Sequence, residues 1–229
     1  MDNDINDKQN VAIKAASLVE NNMIVGLGTG STANYFIEEL ARRQQHEGLQ
    51  VTTVASSIVS SRVAQSAGLD VIAIENLKGL DLYVDGADEV SPDMTLLKGR
   101  GSDLVREKLL AKAANEFYVL VDDSKRVERI GDKFPIPVEV MPFAWQLVLK
   151  SLEQIGAMGS LRPNASGDGL AVTSHGSLVL DLNFEKDIDS HKLNQQLNAI
   201  PGVVEHGIFT NLATKIFVGA NGQVEQQIK

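Results

Sequence analysis

Three short stretches of the chain carry residue types that could bind or transform a small anionic substrate. GLGTGSTA at 26–33 is rich in glycines and hydroxyl side chains, and VDGADEV at 84–90 places three carboxylates within five residues. KGRGSDLVREK at 98–108 combines a lysine, two glycines and a later glutamate. Carboxylates that repel one another at the end of an apolar run need either solvent or a chemical role. These stretches are therefore the candidates for a functional site.

The first stretch has the composition of an anion-binding turn. Glycines at 26, 28 and 30 let the backbone approach an anion closely, and Ser31 and Thr32 open a predicted helix whose N-terminus carries free N–H groups. A plain strand-to-helix turn with a Ser or Thr cap is the alternative. The stretch lacks the lysine of a nucleotide P-loop and the spacing of a dinucleotide fingerprint. A single phosphate therefore fits it better than a dinucleotide.

VDGADEV is open to three interpretations. It could be a polar turn in which Asp85 or Asp88 caps a helix. It could bind a metal: the four histidines are scattered without ligand spacing, but magnesium binds through carboxylates alone. It could also transfer protons, because two aspartates at a strand end, with a lysine, a helix glutamate and an anion-binding turn, suit a sugar phosphate.

The third stretch reads as a glycine-rich turn that leads into a helix. A helix starting near residue 102 would place Glu107 about 7–8 Å along its axis, with Asp103 on the same face. Lys98 stands just before the glycines. Taken alone, the run Arg106-Glu107-Lys108 would be interpreted as a solvated charge run.

The elements around these stretches predict an α/β fold. Short apolar runs at 23–27, 51–56, 71–74, 81–84 and 116–122 alternate with helical patterns, which favours a mostly parallel, Rossmann-like sheet with helices on both faces. Ligands bind such sheets at the carboxyl ends of the strands. Because all three stretches follow predicted strands or extended runs, we expect them at one edge of the sheet.

The sequence pattern changes at FPIPVEV, residues 134–140, and a smaller inserted α+β domain is predicted from this point. The late run KIFVGANGQVEQQI contains a good hairpin turn at ANG, and we expect this hairpin to return to the first domain. The predicted domains are therefore 1–131 with 208–229 for the Rossmann-like catalytic domain, and 132–207 for the small α+β domain.

Composition excludes several functional classes. The 229 residues include no cysteine, which rules out disulfides, zinc–thiolate sites and cysteine nucleophiles. A formal net charge of −9 disfavours nucleic acid as a partner, although local groups could still bind a small anion. No apolar run approaches the roughly 18 residues of a membrane span, and the polar start is unlike a signal peptide. A cytoplasmic protein that avoids membranes is expected.

Four motifs, taken in order, resemble the A-type ribose-5-phosphate isomerases: GLGTGSTA, YVDGADEV, the run from Lys98 to Lys108, and VDDSK ending at Lys125. FPIPVEV and AIPGVVEHGIF are also similar to this family. The resemblance implies an aldose–ketose isomerase that interconverts D-ribose 5-phosphate and D-ribulose 5-phosphate through an enediolate, in the non-oxidative pentose phosphate pathway. It implies no metal, no other cofactor, and a homo-oligomer, either a dimer or a tetramer.

The resemblance also implies roles for individual residues. Glu107 would be the base that transfers the proton, and Asp85 would help to open the furanose ring. Lys98 would stabilise the oxyanion, and Asp88 would orient Lys98 and bind hydroxyls. Lys8 matches only loosely an N-terminal lysine near the phosphate. The implied substrate contacts are Thr29, Gly30, Ser31, Thr32, Asp85, Gly86, Ala87, Asp88, Lys98, Gly99, Arg100, Gly101 and Lys125.

One stretch departs from the family pattern. Arg100 stands where the family usually has the middle of three glycines, and Ser102 and Asp103 replace small residues. If the backbone needed positive φ there, arginine would cost free energy; otherwise its side chain would lie outside the loop.

Two other functional classes compete with the isomerase. A non-catalytic sugar-phosphate sensor domain would share the fold, but the chain shows no helix-turn-helix extension or basic patch. A coenzyme A transferase relative would also use a glutamate, but those chains are generally longer and the DGADE run would have no explanation.

Overall fold

The computed structural model describes residues 6–101, 103–185 and 188–229. Its helices are α1 (Asp7–Ala16), α2 (Ser31–Glu47), α3 (Ile58–Ser66), α4 (Leu104–Ala113), α5 (Trp145–Glu153) and α6 (Ser190–Asn198). Its strands are β1 (Ile24–Leu27), β2 (Thr52–Ala55), β3 (Val71–Ile72), β4 (Leu80–Gly86), β5 (Glu89–Val90), β6 (Leu96–Leu97), β7 (Ala114–Asp122), β8 (Ile136–Val140), β9 (Met158–Leu161), β10 (Leu178–Asn183), β11 (Val203–His206), β12 (Ile208–Phe209), β13 (Lys215–Ala220) and β14 (Gln223–Ile228).

Contacts between residues divide the chain into two compact units. The first unit comprises Met1–Ala87, Arg106–Lys125 and Leu212–Lys229, and the second comprises Asp88–Val105 and Arg126–Asn211. Compared with the predicted domains, this division places 88–105, 126–131 and 208–211 with the second unit. The domain boundaries inferred from the sequence stay a prediction.

The first unit is built on a seven-stranded sheet in the order β14-β13-β7-β4-β1-β2-β3. All neighbouring strands are parallel except the antiparallel pair β13 and β14. The parallel strands are apolar because helices cover the sheet. Helices α1, α2 and α3 contribute Val11, Phe36 and Ala64 to its core. The predicted mostly parallel α/β fold is confirmed.

The terminal hairpin joins this sheet as predicted. Asn221 and Gly222 both have positive φ, 51° and 80°, which is the backbone of a two-residue turn that matches strand twist. The hairpin places β13 beside β7 in parallel and leaves β14 at the edge.

The second unit contains a four-stranded antiparallel sheet in the order β11-β8-β10-β9 and a three-stranded sheet in the order β12-β6-β5. Helices α5 and α6 contribute Val148 and Leu193 to a core shared with β8 and β10. The three-stranded sheet is made of two-residue strands that the sequence analysis did not predict.

Several boundaries differ from the sequence prediction. Helix α4 begins at Leu104 rather than near residue 102. Strand β4 continues to Gly86, so Asp85 lies within the strand and not after it. Within the described ranges, no helix is both long and apolar enough to cross a membrane.

Candidate active site

In the first unit, the turn after β1 is packed against the carboxylate at the end of β4. The Gly28 N–H donates to the Val84 carbonyl at 2.8 Å, and Asp85 Oδ1 accepts from the N–H groups of Thr29 at 3.1 Å and Gly86 at 2.7 Å. A Cβ atom at residue 28 would lie 2.1 Å from Asp85 Oδ1. Glycine is therefore required for this carboxylate to reach the turn.

Asp85 is held from the other side by a buried phenol. Tyr83 is fully buried, and its hydroxyl donates to Asp85 Oδ2 at 2.5 Å. Burial, together with the negative charges of Asp85 and Glu107, raises the pKa of Tyr83 well above its usual value. The phenol therefore stays protonated and acts as a donor to the carboxylate.

Glu107 belongs to the same electrostatic neighbourhood. It stands in the first turn of α4, and its side chain is only 5% exposed. Its charge acts on the Tyr83 phenol, as does that of Asp85. The interpretation of Arg106-Glu107-Lys108 as a solvated charge run is therefore wrong for its central residue.

Helix α2 begins directly after the glycine turn. Gly30 occupies the N-cap position with φ of 112° and, having no side chain, makes no capping hydrogen bond. Ser31 is the first helical residue and is exposed, and Thr32 is the second and is half-buried. The alternative of a turn capped by Ser or Thr is wrong, and the helix presents its N-terminal N–H groups in an exposed turn.

One lysine reaches this helix terminus, and a second acts on a carboxylate at the end of β7. Lys8 Nζ donates to Ser31 Oγ at 3.3 Å. Burial raises the pKa of Asp122, but the Ser124 hydroxyl and the positive charges of Lys125 and Lys8 outweigh it and hold that pKa below the usual range. Lys8 and Lys125 therefore both act on one carboxylate at the end of β7.

A cluster of hydroxyl groups, which the sequence analysis missed, surrounds Thr29. Its Oγ1 lies 2.7 Å from Ser57 Oγ, 3.0 Å from Ser56 Oγ and 3.4 Å from Ser60 Oγ. Ser57 and Ser60 form a capping box that begins α3. The spacing of the two serines in SSIVSS was the available signal, because a Ser followed three residues later by a side chain that can return a hydrogen bond is typical of such a box.

In the second unit, the last carboxylate of VDGADEV is structural. Glu89 is fully buried and accepts hydrogen bonds from the backbone N–H groups of Gly131 at 2.6 Å, Lys133 at 2.7 Å and Phe134 at 2.8 Å. The half-buried Asp88 donates its own N–H to the Leu97 carbonyl at 2.8 Å. Strand β5, not a helix, follows Asp88, so the helix-capping interpretation of this stretch is wrong.

Lys98 is also buried in the second unit. It is 4% exposed, its N–H donates to the Gly207 carbonyl at 2.9 Å, and its Nζ lies 5.7 Å from the centre of the Phe209 ring. Gly99 has φ of 99°, and a Cβ there would lie 1.9 Å from the Leu104 side chain. Glycine is required at position 99 for both reasons.

The backbone at Arg100 is unstrained. Among described residues other than glycine, positive φ occurs at Asn22, Met94, Asn211 and Asn221, and therefore not at Arg100. Its side chain is exposed, with the guanidinium 4.1 Å from the centre of the Phe134 ring. The arginine that departs from the family pattern thus lies on the outside of its loop.

Arg162 supports this loop and was also missed from the sequence. It donates to the carbonyls of Gly99 at 3.1 Å and Arg100 at 3.2 Å, and it forms a bidentate pair with Asp181 at 2.8 Å and 2.6 Å. Nothing in the local sequence indicates this contact, because Arg162 lies more than sixty residues from the loop.

Three further predicted site residues have small side chains or none. Gly86 ends β4, Ala87 follows it and is half-buried, and Gly101 is exposed with open space around it. In the ranges 6–101, 103–185 and 188–229, no three or more His, Asp or Glu side chains are grouped to hold a metal ion.

The fold and these residues define an α/β protein in which a glycine turn and a buried carboxylate meet where parallel strands end. A family model described as ribose 5-phosphate isomerase A (phosphoriboisomerase A) matches residues 52–223. The curated ribose-5-phosphate isomerase A of Thermococcus kodakarensis is 44% identical over 213 residues, which are 93% of each chain.

Solved structures agree with this match. The ribose 5-phosphate isomerase A structure from Methanocaldococcus jannaschii is 38% identical, with a TM-score of 0.92 over 97% of this chain and 98% of that one. A D-ribose-5-phosphate isomerase in complex with phospho-erythronic acid is 34% identical, with a TM-score of 0.93 over the same shares. The chain belongs to the ribose 5-phosphate isomerase A family, and the resemblance inferred from its motifs is confirmed.

Proposed function

We propose that this protein is an aldose–ketose isomerase that interconverts D-ribose 5-phosphate and D-ribulose 5-phosphate. The observation that carries the proposal is the pair of buried carboxylates, Asp85 and Glu107, that act on one buried phenol beside an anion-binding turn. Family members carry this enzymatic name, which supports turnover over a non-catalytic sugar-phosphate sensor.

The phosphate of the substrate would bind at the start of α2. Backbone N–H groups from Thr29 to Thr32 and the partial positive charge of the helix N-terminus favour a phosphate there. Lys8, which reaches Ser31, and Lys125 add positive charge to this end of the first unit. A related structure holds phospho-erythronic acid, a short chain that carries a phosphate and a carboxylate, and a ligand of this class suits the present chain.

Glu107 would move the proton. Isomerisation transfers a proton between C2 and C1 of the sugar through an enediolate, so one positioned base can remove it and return it to the neighbouring carbon. Such a base contributes about 10²–10⁴ in rate. Its burial is compatible with this role, because the exclusion of water strengthens the electrostatic interactions of a base with bound substrate.

The remaining polar groups would act on the sugar oxygens. Asp85 would help to open the furanose ring by moving hydroxyl protons, and Asp88 would bind hydroxyls and orient Lys98. Lys98 and the N–H groups of Gly99, Arg100 and Gly101 would stabilise the enediolate oxygen. The loss of one such donor typically costs on the order of 3–4 kcal/mol.

The finer features of the proposal follow from the family. The reaction needs no metal or organic cofactor, because proton transfer between neighbouring carbons requires only a base and donors. We propose that the protein works in the non-oxidative pentose phosphate pathway, in the cytoplasm, and as a homo-oligomer, a dimer or a tetramer.

Incubation of the protein with ribose 5-phosphate in deuterium oxide tests the proposal. We expect ribulose 5-phosphate to form and deuterium to enter the sugar at the carbon that receives the proton. Binding of ribose 5-phosphate without conversion or labelling would favour the sensor. Turnover should persist in EDTA, and its loss would favour the magnesium interpretation of VDGADEV.

A further inference from the structure

We propose that Tyr83 is a positioning residue for Asp85, the carboxylate that the phosphate-binding turn also binds. The inference rests on the proposed function, in which Asp85 handles the sugar hydroxyls. It adds Tyr83 to the groups on which the reaction depends.

Asp85 is held from two sides within the first unit. Tyr83 donates to Asp85 Oδ2 at 2.5 Å, and the Thr29 N–H of the turn donates to Asp85 Oδ1 at 3.1 Å. Tyr83 is fully buried, so water does not compete for its hydrogen bond.

The Tyr83 hydroxyl has one hydrogen, and that hydrogen is committed to Asp85. Thr29 donates its own hydroxyl hydrogen to Ser57 Oγ at 2.7 Å, so its backbone N–H is the donor that joins the turn to Asp85.

The consequence is that the carboxylate and the turn form one rigid body. Asp85 has donors on both oxygens, and a side chain at position 28 is excluded by its carboxylate. A carboxylate fixed relative to the phosphate anchor meets the same hydroxyl of every bound sugar, and a misplacement of about 1 Å can cost about 10²-fold in rate.

The test uses the full-length protein with Tyr83→Phe. The substitution removes only the hydroxyl, and the ring can keep its stacking on Phe117, whose centre lies 4.9 Å away. We expect kcat to fall by about 10–10². The inhibition constant of inorganic phosphate should change less than about threefold, because the turn keeps its backbone donors. The matched control is Tyr118→Phe, which removes a phenol that bonds Lys215 instead and should leave kcat unchanged.

A second readout separates positioning from a general loosening of the fold. In deuterium oxide, exchange at C1 of ribulose 5-phosphate reports proton transfer alone, whereas formation of cyclic ribose 5-phosphate also needs the sugar hydroxyls to be handled. Tyr83→Phe should lower product formation more than exchange, and Asp85→Asn should show the same bias. The double variant should be no slower than Asp85→Asn, because Tyr83 acts through Asp85.

If Tyr83→Phe fails to fold, 3-fluorotyrosine at position 83 carries the test, because its more acidic hydroxyl alters the bond to Asp85 without removing it. We then expect kcat to change by at least about twofold, whereas the same replacement at Tyr118 should leave kcat unchanged; an unchanged kcat at position 83 would overturn the inference. Unchanged kcat in a folded Tyr83→Phe protein would overturn the inference, as would a double variant whose loss is the product of the two single losses. Absence of turnover by the unsubstituted protein would instead refute the proposed function itself.

Discussion

The two glycine segments of this chain are held in contrasting ways. The segment at 28–31 in the first unit is fixed by the strand beside it, since the Asp85 carboxylate accepts its N–H and fills the space over Gly28. The segment at 99–101 in the second unit is fixed by its carbonyls, which Arg162 binds while paired with Asp181.

This difference shows where each segment can tolerate change. The first has its partners on neighbouring parallel strands, so sheet geometry positions them and no side chain can be added at Gly28. The second has an exposed middle residue with unstrained backbone, and its side chain lies on Phe134 outside the loop. The first segment therefore tolerates no side chain at Gly28, whereas the second accepts an arginine where the family usually has glycine.

Gly28→Ala should give the largest effect. Its Cβ would displace the Asp85 carboxylate, at a cost of about 1–3 kcal/mol in stability and about 10² in kcat. Urea unfolding and a coupled assay with ribose 5-phosphate measure the two losses. Gly79→Ala is the control, because a Cβ there meets nothing within 4 Å. Wild-type activity in Gly28→Ala would show that the turn does not need Asp85 in this place.

Glu89→Gln should destabilise the second unit. The two carboxylate oxygens accept three backbone N–H groups, and an amide would turn a donor toward at least one of them. We expect a loss of about 2 kcal/mol, seen as a lower urea midpoint. Glu128→Gln, an exposed carboxylate in the same unit, should change stability by less than about 0.5 kcal/mol. Equal midpoints for the two variants would contradict a structural role for Glu89.

Arg162→Ala should lower kcat/KM by about tenfold, because the carbonyls of Gly99 and Arg100 lose their donor and the loop relaxes. Arg162→Lys should restore only part of the loss, since a single ammonium cannot reproduce the bidentate pair with Asp181. Arg129→Ala, which removes an arginine paired with Asp132, is the control. If Arg162→Ala is as active as Arg129→Ala, the loop does not need the support of Arg162.

Arg100→Gly should give the smallest effect. The arginine side chain is exposed and its backbone needs no glycine, so kcat/KM should stay within about twofold of the unsubstituted protein and stability within about 0.5 kcal/mol. A collapse of activity in the coupled assay would mean that the guanidinium itself contacts substrate, and the contrast between the two segments would fail.

The sequence predicted what depends on local pattern. Alternating apolar runs gave the parallel sheet, and Asn221-Gly222 gave the hairpin turn. The turn within 26–33 and the carboxylate of Asp85 were predicted because each lies at the end of a strand whose apolar run is visible in the sequence.

The features that escaped prediction depend on contacts between distant residues. Glu89 looked like a third site carboxylate until its three backbone donors, more than forty residues away, showed that it is structural. Arg162 was missed for the same reason, because the carbonyls it binds are distant in sequence. The three-stranded sheet was missed because its two-residue strands have no periodicity to detect. Tyr83 was not predicted because a tyrosine within an apolar strand is usually interpreted as a core residue.

The most direct test of the account compares the protein with Glu107→Gln in deuterium oxide, with ribulose 5-phosphate as substrate and deuterium at C1 as the readout. If Glu107 is the base, exchange in the variant should fall by at least about 10² while the affinity for substrate stays within about threefold. Exchange at the unsubstituted rate in a folded Glu107→Gln protein would contradict the account, because a different group would then remove the proton.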